Sequence, residues 1–274
     1  MSLFLHKKMK KLTLALLFIL SFINAKASLS IEGYYQGKNL YVQSSLCGDG
    51  FGYCATKVTV NGNIMPAHLQ NGAFEIDFSD FNIKMGQAIF IVIEHHDECK
   101  PKIINPEVLL PNSTFIIEEI NCTPEGLISW ETTAESGKLA YQIEQYKWNK
   151  WIVVGEVGGE GVKSISNYSF TVTPHSAQNK IRVSQTDNTG KKRCSKEVVF
   201  SNNKIKTPVL KTQNNYKSIS FVVHDKKVET KYEIYDAYGN ILKKGLNSEV
   251  DLSNLTKGIY YVNFDNKNEK IMKK

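Results

Sequence analysis

The sequence lacks most of the constellations that carry chemistry. No Gly-x-Ser-x-Gly elbow occurs in it, so a strand-to-helix turn presenting a nucleophilic serine is excluded. The glycine-rich run Gly155-Glu156-Val157-Gly158-Gly159-Glu160-Gly161 has no glycine directly followed by Lys-Ser/Thr, as a P-loop requires, and reads as an interstrand loop. Gly48-Asp49-Gly50-Phe51-Gly52 holds one acid where an EF-hand loop needs several and a terminal glutamate, and reads as a disulfide-closed turn. Glu118 and Glu119 are consecutive on a predicted strand and face opposite ways, so they do not form an acid/base pair. Catalytic, cofactor and metal residues are therefore all expected to be none.

Long apolar runs are scarce too. Leu12 to Ile23 spans only about a dozen residues, short of the ~20 that cross a bilayer. Lys7, Lys8, Lys10 and Lys11 precede it, and Ala25-Lys26-Ala27 follows as a small-x-small site. These are the three parts of a secretory signal peptide over residues 1–27, with cleavage marked by Ala25 and Ala27. Met9 begins the more usual opening, and no cysteine follows the cleavage site to carry a lipid anchor. An exported, soluble mature chain of 247 residues is expected, enough for two or three small domains.

A basic stripe is also missing. The formal charge is +7, but residues 1–27 contribute +5 and residues 204–274 contribute +6, leaving −4 on residues 28–203. The body is mildly acidic, which excludes a nucleic-acid footprint.

Cysteine is present but odd in number: Cys47, Cys54, Cys99, Cys122 and Cys194. Export permits disulfides. Cys47 and Cys54 bracket a flexible loop, and Cys122 and Cys194 fall near the first and last strands of one domain; these four are the disulfide candidates, with Cys99 left over. Pairing of Cys99 with Cys47 or Cys54 stays open. The run Glu94-His95-His96-Asp97-Glu98-Cys99 is made wholly of metal-ligating types, but on a strand only alternate members converge, and a fourth ligand such as His68 has no place in the pattern. A solvated strand end is the expected reading. Tyr141 and Trp151 fit core positions, whereas Tyr146 and Trp148 lie in a turn with two lysines and are expected to be exposed, as a partner or sugar contact or packed on each other.

No helical period of useful length appears in residues 28–108; short strands and turns fill them. Asn39–Gln43, Lys57–Val60, the alternating Ala73–Phe78 and the apolar Ala88–Glu94 read as strands, with hairpin signals at Asn61-Gly62 and Asn71-Gly72. A small β-sandwich over 28–108 is expected. Pro101, Pro106 and Pro111 then punctuate an extended connector. Residues 112–203 carry seven predicted strands, with Trp130, Tyr141-Gln142-Ile143-Glu144, Trp151-Ile152-Val153-Val154, Tyr168-Ser169-Phe170 and Ile181-Arg182-Val183 among them and an Asp187-Asn188-Thr189-Gly190 turn before the last. This segment resembles a fibronectin type III domain.

The linker Asn202–Lys206 leads to residues 208–274, an all-β C-terminal unit. There the sequence shows Tyr235-Asp236-Ala237-Tyr238-Gly239, then Val250-Asp251-Leu252, then Leu255-Thr256-Lys257-Gly258-Ile259-Tyr260-Tyr261-Val262 with a turn at Gly258, and a basic end, Lys270-Ile271-Met272-Lys273-Lys274. That order resembles the C-terminal sorting domain of the type IX secretion system of Bacteroidetes. The family usually opens on a Pro-Asn-Pro-like segment, and here Thr207-Pro208-Val209-Leu210 stands in its place. The resemblance implies recognition by the type IX translocon, with Tyr235, Asp236, Gly239, Gly258, Tyr260, Lys273 and Lys274 carrying the signal. It also implies a surface sortase that removes the domain and joins the body to anionic lipopolysaccharide.

Two tandem β-sandwiches before a sorting domain, with no catalytic constellation, suggest a non-enzymatic surface or outer-membrane interaction module. The chain also resembles PorA-type proteins around Cys99-Lys100-Pro101-Lys102 through Asn105-Pro106-Glu107-Val108, which implies a regulator read by a periplasmic sensor kinase. A metal-binding or hydrolytic role for Glu94–Cys99 is the third reading.

Overall fold

The computed structural model describes residues 27–48, 50–66, 69–161 and 163–274. They contain β-strands and two short 3-10 turns, Phe78–Phe81 and Pro106–Leu109, with no α-helix. Among the described residues no helix is long and apolar enough to cross a membrane. The signal-peptide reading and Ala25 lie outside the described residues. Ala27 is within them, and its carbonyl accepts a hydrogen bond from His95 N at 2.9 Å.

The first unit comprises β1 Ser28–Tyr34, β2 Leu40–Gln43, β3 Ala55–Val60, β4 Asn63–Ile64, β5 Ala73–Ile76, β6 Ala88–His95 and β7 Lys102–Ile103. They form two antiparallel sheets, β1-β6-β3-β4 and β5-β2-β7. Period-2 alternation decides which residues enter the core between them: Ile89, Ile91 and Ile93 of β6 and Phe74 and Ile76 of β5 are buried. Asn61 (φ 50°) and Gly62 (φ 83°) make the expected tight turn from β3 to β4, since a type I′ turn needs positive φ at both positions. Asn71-Gly72 does not form a hairpin. It leads into β5, which pairs with the distant β2 rather than with the chain just before it.

Of the pairings left open, the structure takes Cys99 with Cys54; Cys47 with Cys54 and Cys122 with Cys194 are not joined. The disulfide joins Cys54 to Cys99, and Cys47, Cys122 and Cys194 are free. The reason is register. Leu46 bridges Tyr53, Cys47 N bonds Gly52 O, and Cys54 N bonds Ser45 O, so Cys47 stands across from Gly52 and not from Cys54. Backbone hydrogen bonds close that loop instead. Cys194 lies with Ile116 and Ile117 at the start of the first strand of the middle unit, whereas Cys122 ends that strand. At ~3.3 Å per residue the two sulfurs are separated by about 20 Å of strand.

The middle unit holds β8 Ile116–Cys122, β9 Leu127–Thr133, β10 Tyr141–Lys147, β11 Lys150–Val157, β12 Ser166–Thr171, β13 Gln178–Thr186, β14 Lys192–Cys194 and β15 Val198–Ser201. One sheet is β12-β9-β8; the other is β11-β10-β13, with β14 and β15 both pairing to β13. The predicted last strand is thus preceded by an additional one, β14. Trp130, Tyr141, Tyr168 and Phe115 form an aromatic cluster in the core, with ring centroids 5.0–5.7 Å apart.

The last unit holds β16 Val209–Gln213, β17 Ser218–Val223, β18 Lys226–Lys227, β19 Thr230–Tyr235, β20 Ile241–Asn247, β21 Glu249–Asp251, β22 Gly258–Phe264 and β23 Lys267–Lys273. In one sheet β16 pairs along β17, whose other edge takes β18 and β21; the other sheet is β20-β19-β22-β23. Its core is separate from the other two: Ile219, Phe221, Tyr232, Ile234, Val250, Leu252, Tyr260, Val262, Phe264 and Ile271. The fold class is all-β, built of successive two-sheet sandwiches.

Candidate functional site

The residues singled out at the C-terminal end divide into turn-formers, core and surface. Asp236 closes the turn from β19 to β20. Its carboxylate accepts from Tyr238 N at 2.9 Å, Asn240 N at 2.9 Å and Asn240 Nδ2 at 2.8 Å. Hydrogen bonds from Asn240 hold that carboxyl below the usual carboxylate range. Gly239 sits at φ 88°, a left-handed conformation that a Cβ would strain. The Asp-x-x-Gly spacing is therefore the chemistry of a capped turn, and it leaves Tyr238 at the tip, 92% exposed.

Gly258 is not in a turn; it is the first residue of β22, paired with Lys273. Tyr260 is buried, and its hydroxyl donates to Thr256 O at 2.7 Å, anchoring the chain just before β22. Lys273 donates to three carbonyls, Leu252 at 2.5 Å, Ser253 at 3.2 Å and Leu255 at 2.6 Å. It holds the β21–β22 loop rather than offering its charge to solvent. Lys274 is exposed, and β23 is an edge strand whose outer side is unpaired in the sheet.

Cross-strand register assembles the outer face of this sheet. Met272 stands opposite Ile259, Lys270 opposite Tyr261, Tyr261 opposite Tyr235, and Tyr235 opposite Ile241. Their neighbours along each strand, such as Tyr260, Val262 and Ile234, turn inward to the core. The outer face thus carries an apolar and aromatic band, with Met272 and Ile241 exposed.

The middle unit docks on part of that face. The hairpin between β10 and β11 turns through Trp148 (φ 53°) and Asn149 (φ 59°), a left-handed conformation that is strained for a bulky tryptophan. Lys150 Nζ donates to Glu233 Oε2 and to Tyr235 Oη, both at 2.9 Å, while Tyr235 also donates to Glu233. Burial alone pulls the Glu233 carboxyl up, but hydrogen bonds from Tyr235 and Lys150 outweigh it and hold the group low. Burial and the Glu233 carboxylate push the Tyr235 phenol up. A second contact joins the loop before β13 to the β22–β23 turn. Ser176 N and Oγ both donate to the buried Asp265 carboxylate, and Asn266 Nδ2 donates to Ser176 O at 3.1 Å. Thr207 Oγ1, from the linker, donates to Ser176 Oγ at 2.8 Å.

This docking overturns the expected exposure of Tyr146 and Trp148, which are half-buried. Lys147 is buried and Lys150 is engaged in the seam. Trp148 is half-buried under the Lys150 ammonium, 5.8 Å from its ring centroid. Trp151 is not in the core. It lies half-buried between Tyr146 and the Arg182 guanidinium, which stacks 4.1 Å from its ring centroid. Arg182 and Lys192 both pair with the buried Glu144 at 2.8 and 2.7 Å.

In the Glu94–Cys99 run, Cys99 is consumed by the disulfide and Glu94 pairs with Lys57 at 3.0 Å. Among the described residues no three His, Cys, Asp or Glu side chains converge; His68 lies outside them. Glu135 carries no signal in the sequence. It is a buried carboxylate that accepts from Thr132 Oγ1, Tyr141 Oη, Tyr168 Oη and Gly161 N at 2.5–3.0 Å. Burial pushes the Tyr168 phenol up to about 12, so it stays a donor. The network pins the loop before β12 to the aromatic core.

Comparison with known proteins separates the parts of the chain. No curated protein matches. Solved structures align over most of the length at low identity. A biofilm-associated protein BSP domain aligns at 9% identity and TM-score 0.25, covering 90% of this chain and 63% of that one. The FN1–FN3 domains of chicken CNTN1 align at 13% and 0.22, covering 91% and 95%. A tetra-tandem repeat from the extending region of a large adhesion protein aligns at 12% and 0.25, covering 91% and 82%. At the C-terminal end, residues 213–274 match the model of the secretion system C-terminal sorting domain, which marks the chain as type IX secretion cargo, destined for the cell surface or the medium.

Proposed function

We propose that the protein is a non-enzymatic interaction module displayed at the cell surface, delivered by its C-terminal domain. The observation that carries this is the sorting-domain match over residues 213–274, with its Tyr235–Gly239 turn presented on an exposed tip. We assign 28–108 and 112–203 as the two domains of the body and 208–274 as the sorting domain. Three separate hydrophobic cores support that division. The second of these domains is fibronectin type III-like, a reading supported by its three-stranded sheet facing a larger one. Its partners are the type IX translocon, through the exposed part of the band at Ile241 and Met272, and the surface sortase. Anionic lipopolysaccharide is the acceptor.

Deletion of residues 208–274 is expected to leave the body folded and stranded in the periplasm, as read by fractionation and surface labelling. Undiminished surface display of the truncated chain would sink the proposal. A regulatory reading, in which a sensor kinase reads the sorting domain, is favoured by one observation: the body grips that domain through Lys150 and Ser176 instead of leaving it on a free tether. Under that reading, deletion of the whole protein changes transcript levels of secretion genes, which loss of a surface module leaves alone.

A further inference from the structure

A cavity of about 980 Å³ opens between the middle and last units, at the top of the ~300–1,000 Å³ range of small-molecule sites. Much of its lining is apolar, including Val154, Phe170, Val172, Val228 and Leu246. Five lysines also line it: Lys147, Lys204, Lys206, Lys231 and Lys244. Against them stand three acids, of which Glu233 is taken by Lys150 and Asp265 by Ser176, leaving Glu229.

Lys147 is the informative member. It ends β10, is only 8% exposed, and its ammonium makes no hydrogen bond or ion pair among the described residues. Lysine is almost never buried this deeply without a partner, because taking an ammonium out of water is costly. The groups facing it are the Asp265 carboxylate, beyond ion-pair distance, and two further positive or ionisable groups, Lys231 and the buried His175. A built cationic point inside an apolar cavity fits one ligand chemistry.

We propose that this cavity binds an anionic amphiphile, whose carboxylate or phosphate meets the Lys147 ammonium while its aliphatic tail lies on the apolar lining. Both walls come from different units, so the ligand also fastens the body to the sorting domain. The site is independent of the surface-module reading, because the cavity is the same whatever the body binds.

The test is a titration of residues 28–274, below micelle-forming concentrations, with dodecanoate, dodecyl phosphate, dodecanol and inorganic phosphate. The two anionic amphiphiles should bind saturably at one site, and each should exceed dodecanol and inorganic phosphate by about ten-fold or more. Preference for one of the two heads identifies the natural anion. Lys147→Met should lose about ten-fold or more in dodecanoate affinity. A second measurement needs no variant. Burial lowers the Lys147 pKa to about 8, so the unaltered protein should lose dodecanoate affinity as pH rises from 7 to 9.5, while the carboxylate stays charged. Equal affinity for dodecanol and dodecanoate, equal affinity for both phosphates, a flat pH profile, or no saturable binding overturns the proposal.

Discussion

Lys273 and Lys274 are neighbours of identical type, and the end of β23 between them separates their roles. Lys273 falls on the inner side, where three loop carbonyls take its ammonium, and Lys274 stays in solvent. Removing the first leaves those carbonyls without their charged donor. Lys273→Met is therefore expected to cost about 1–3 kcal/mol, and Lys274→Met less than about 0.5 kcal/mol. Urea unfolding of the two variants checks this; equal midpoints would show that the Lys273 contacts carry no stability. Asp236 and Gly239 were legible in the sequence because a capped turn is a local object, its donors two to four residues away. Lys147 was not legible. A lysine beside a turn reads as solvated, and only a second domain arriving over the turn buries it.

At the level of strands, β6 announced itself as a central strand through its isoleucines, and β19 to β23 through alternation and turn residues. β1 carried a weaker signal, since Leu29 and Ile31 are only partly buried against the core. For the disulfide, local reasoning left Cys54 with Cys99 only as an open alternative. Sequence spacing favoured Cys47 with Cys54, but the Leu46–Tyr53 register lies two residues away from that pairing and faces each of them with another residue. Strand register also sends Cys54 inward toward Cys99, 45 residues away. Closing a loop of that length restricts the unfolded chain by about 4 kcal/mol in the loop-entropy model. The double variant Cys54→Ala/Cys99→Ala should therefore unfold about 2–4 kcal/mol earlier in denaturant, with Cys47→Ser unchanged. Alkylation of the oxidised protein should label Cys47, Cys122 and Cys194 and spare the other two. A peptide map linking Cys47 to Cys54 would contradict the structure.

Across the whole molecule, what joins the body to the sorting domain is a small number of polar contacts between residues 83–90 positions apart, which no local pattern foreshadows. Domain interfaces of this kind are modest, and relative motion is the default unless something fixes the pair. Here Asp265 is the fixing group. It is buried, it takes both donors of Ser176, and Thr207 ties the linker to the same point. Asp265→Ala leaves the Ser176 N–H and hydroxyl without their acceptor inside the seam, a loss of about 1–3 kcal/mol. The cores on either side are complete without that contact, so each unit should remain folded while their docking weakens. The expected signature is a larger radius of gyration by X-ray scattering and faster proteolysis within residues 202–206, with unchanged far-ultraviolet dichroism. If radius and cleavage rate stay at wild-type values, Asp265 does not hold the seam, and the Lys150–Glu233–Tyr235 contact must hold it alone.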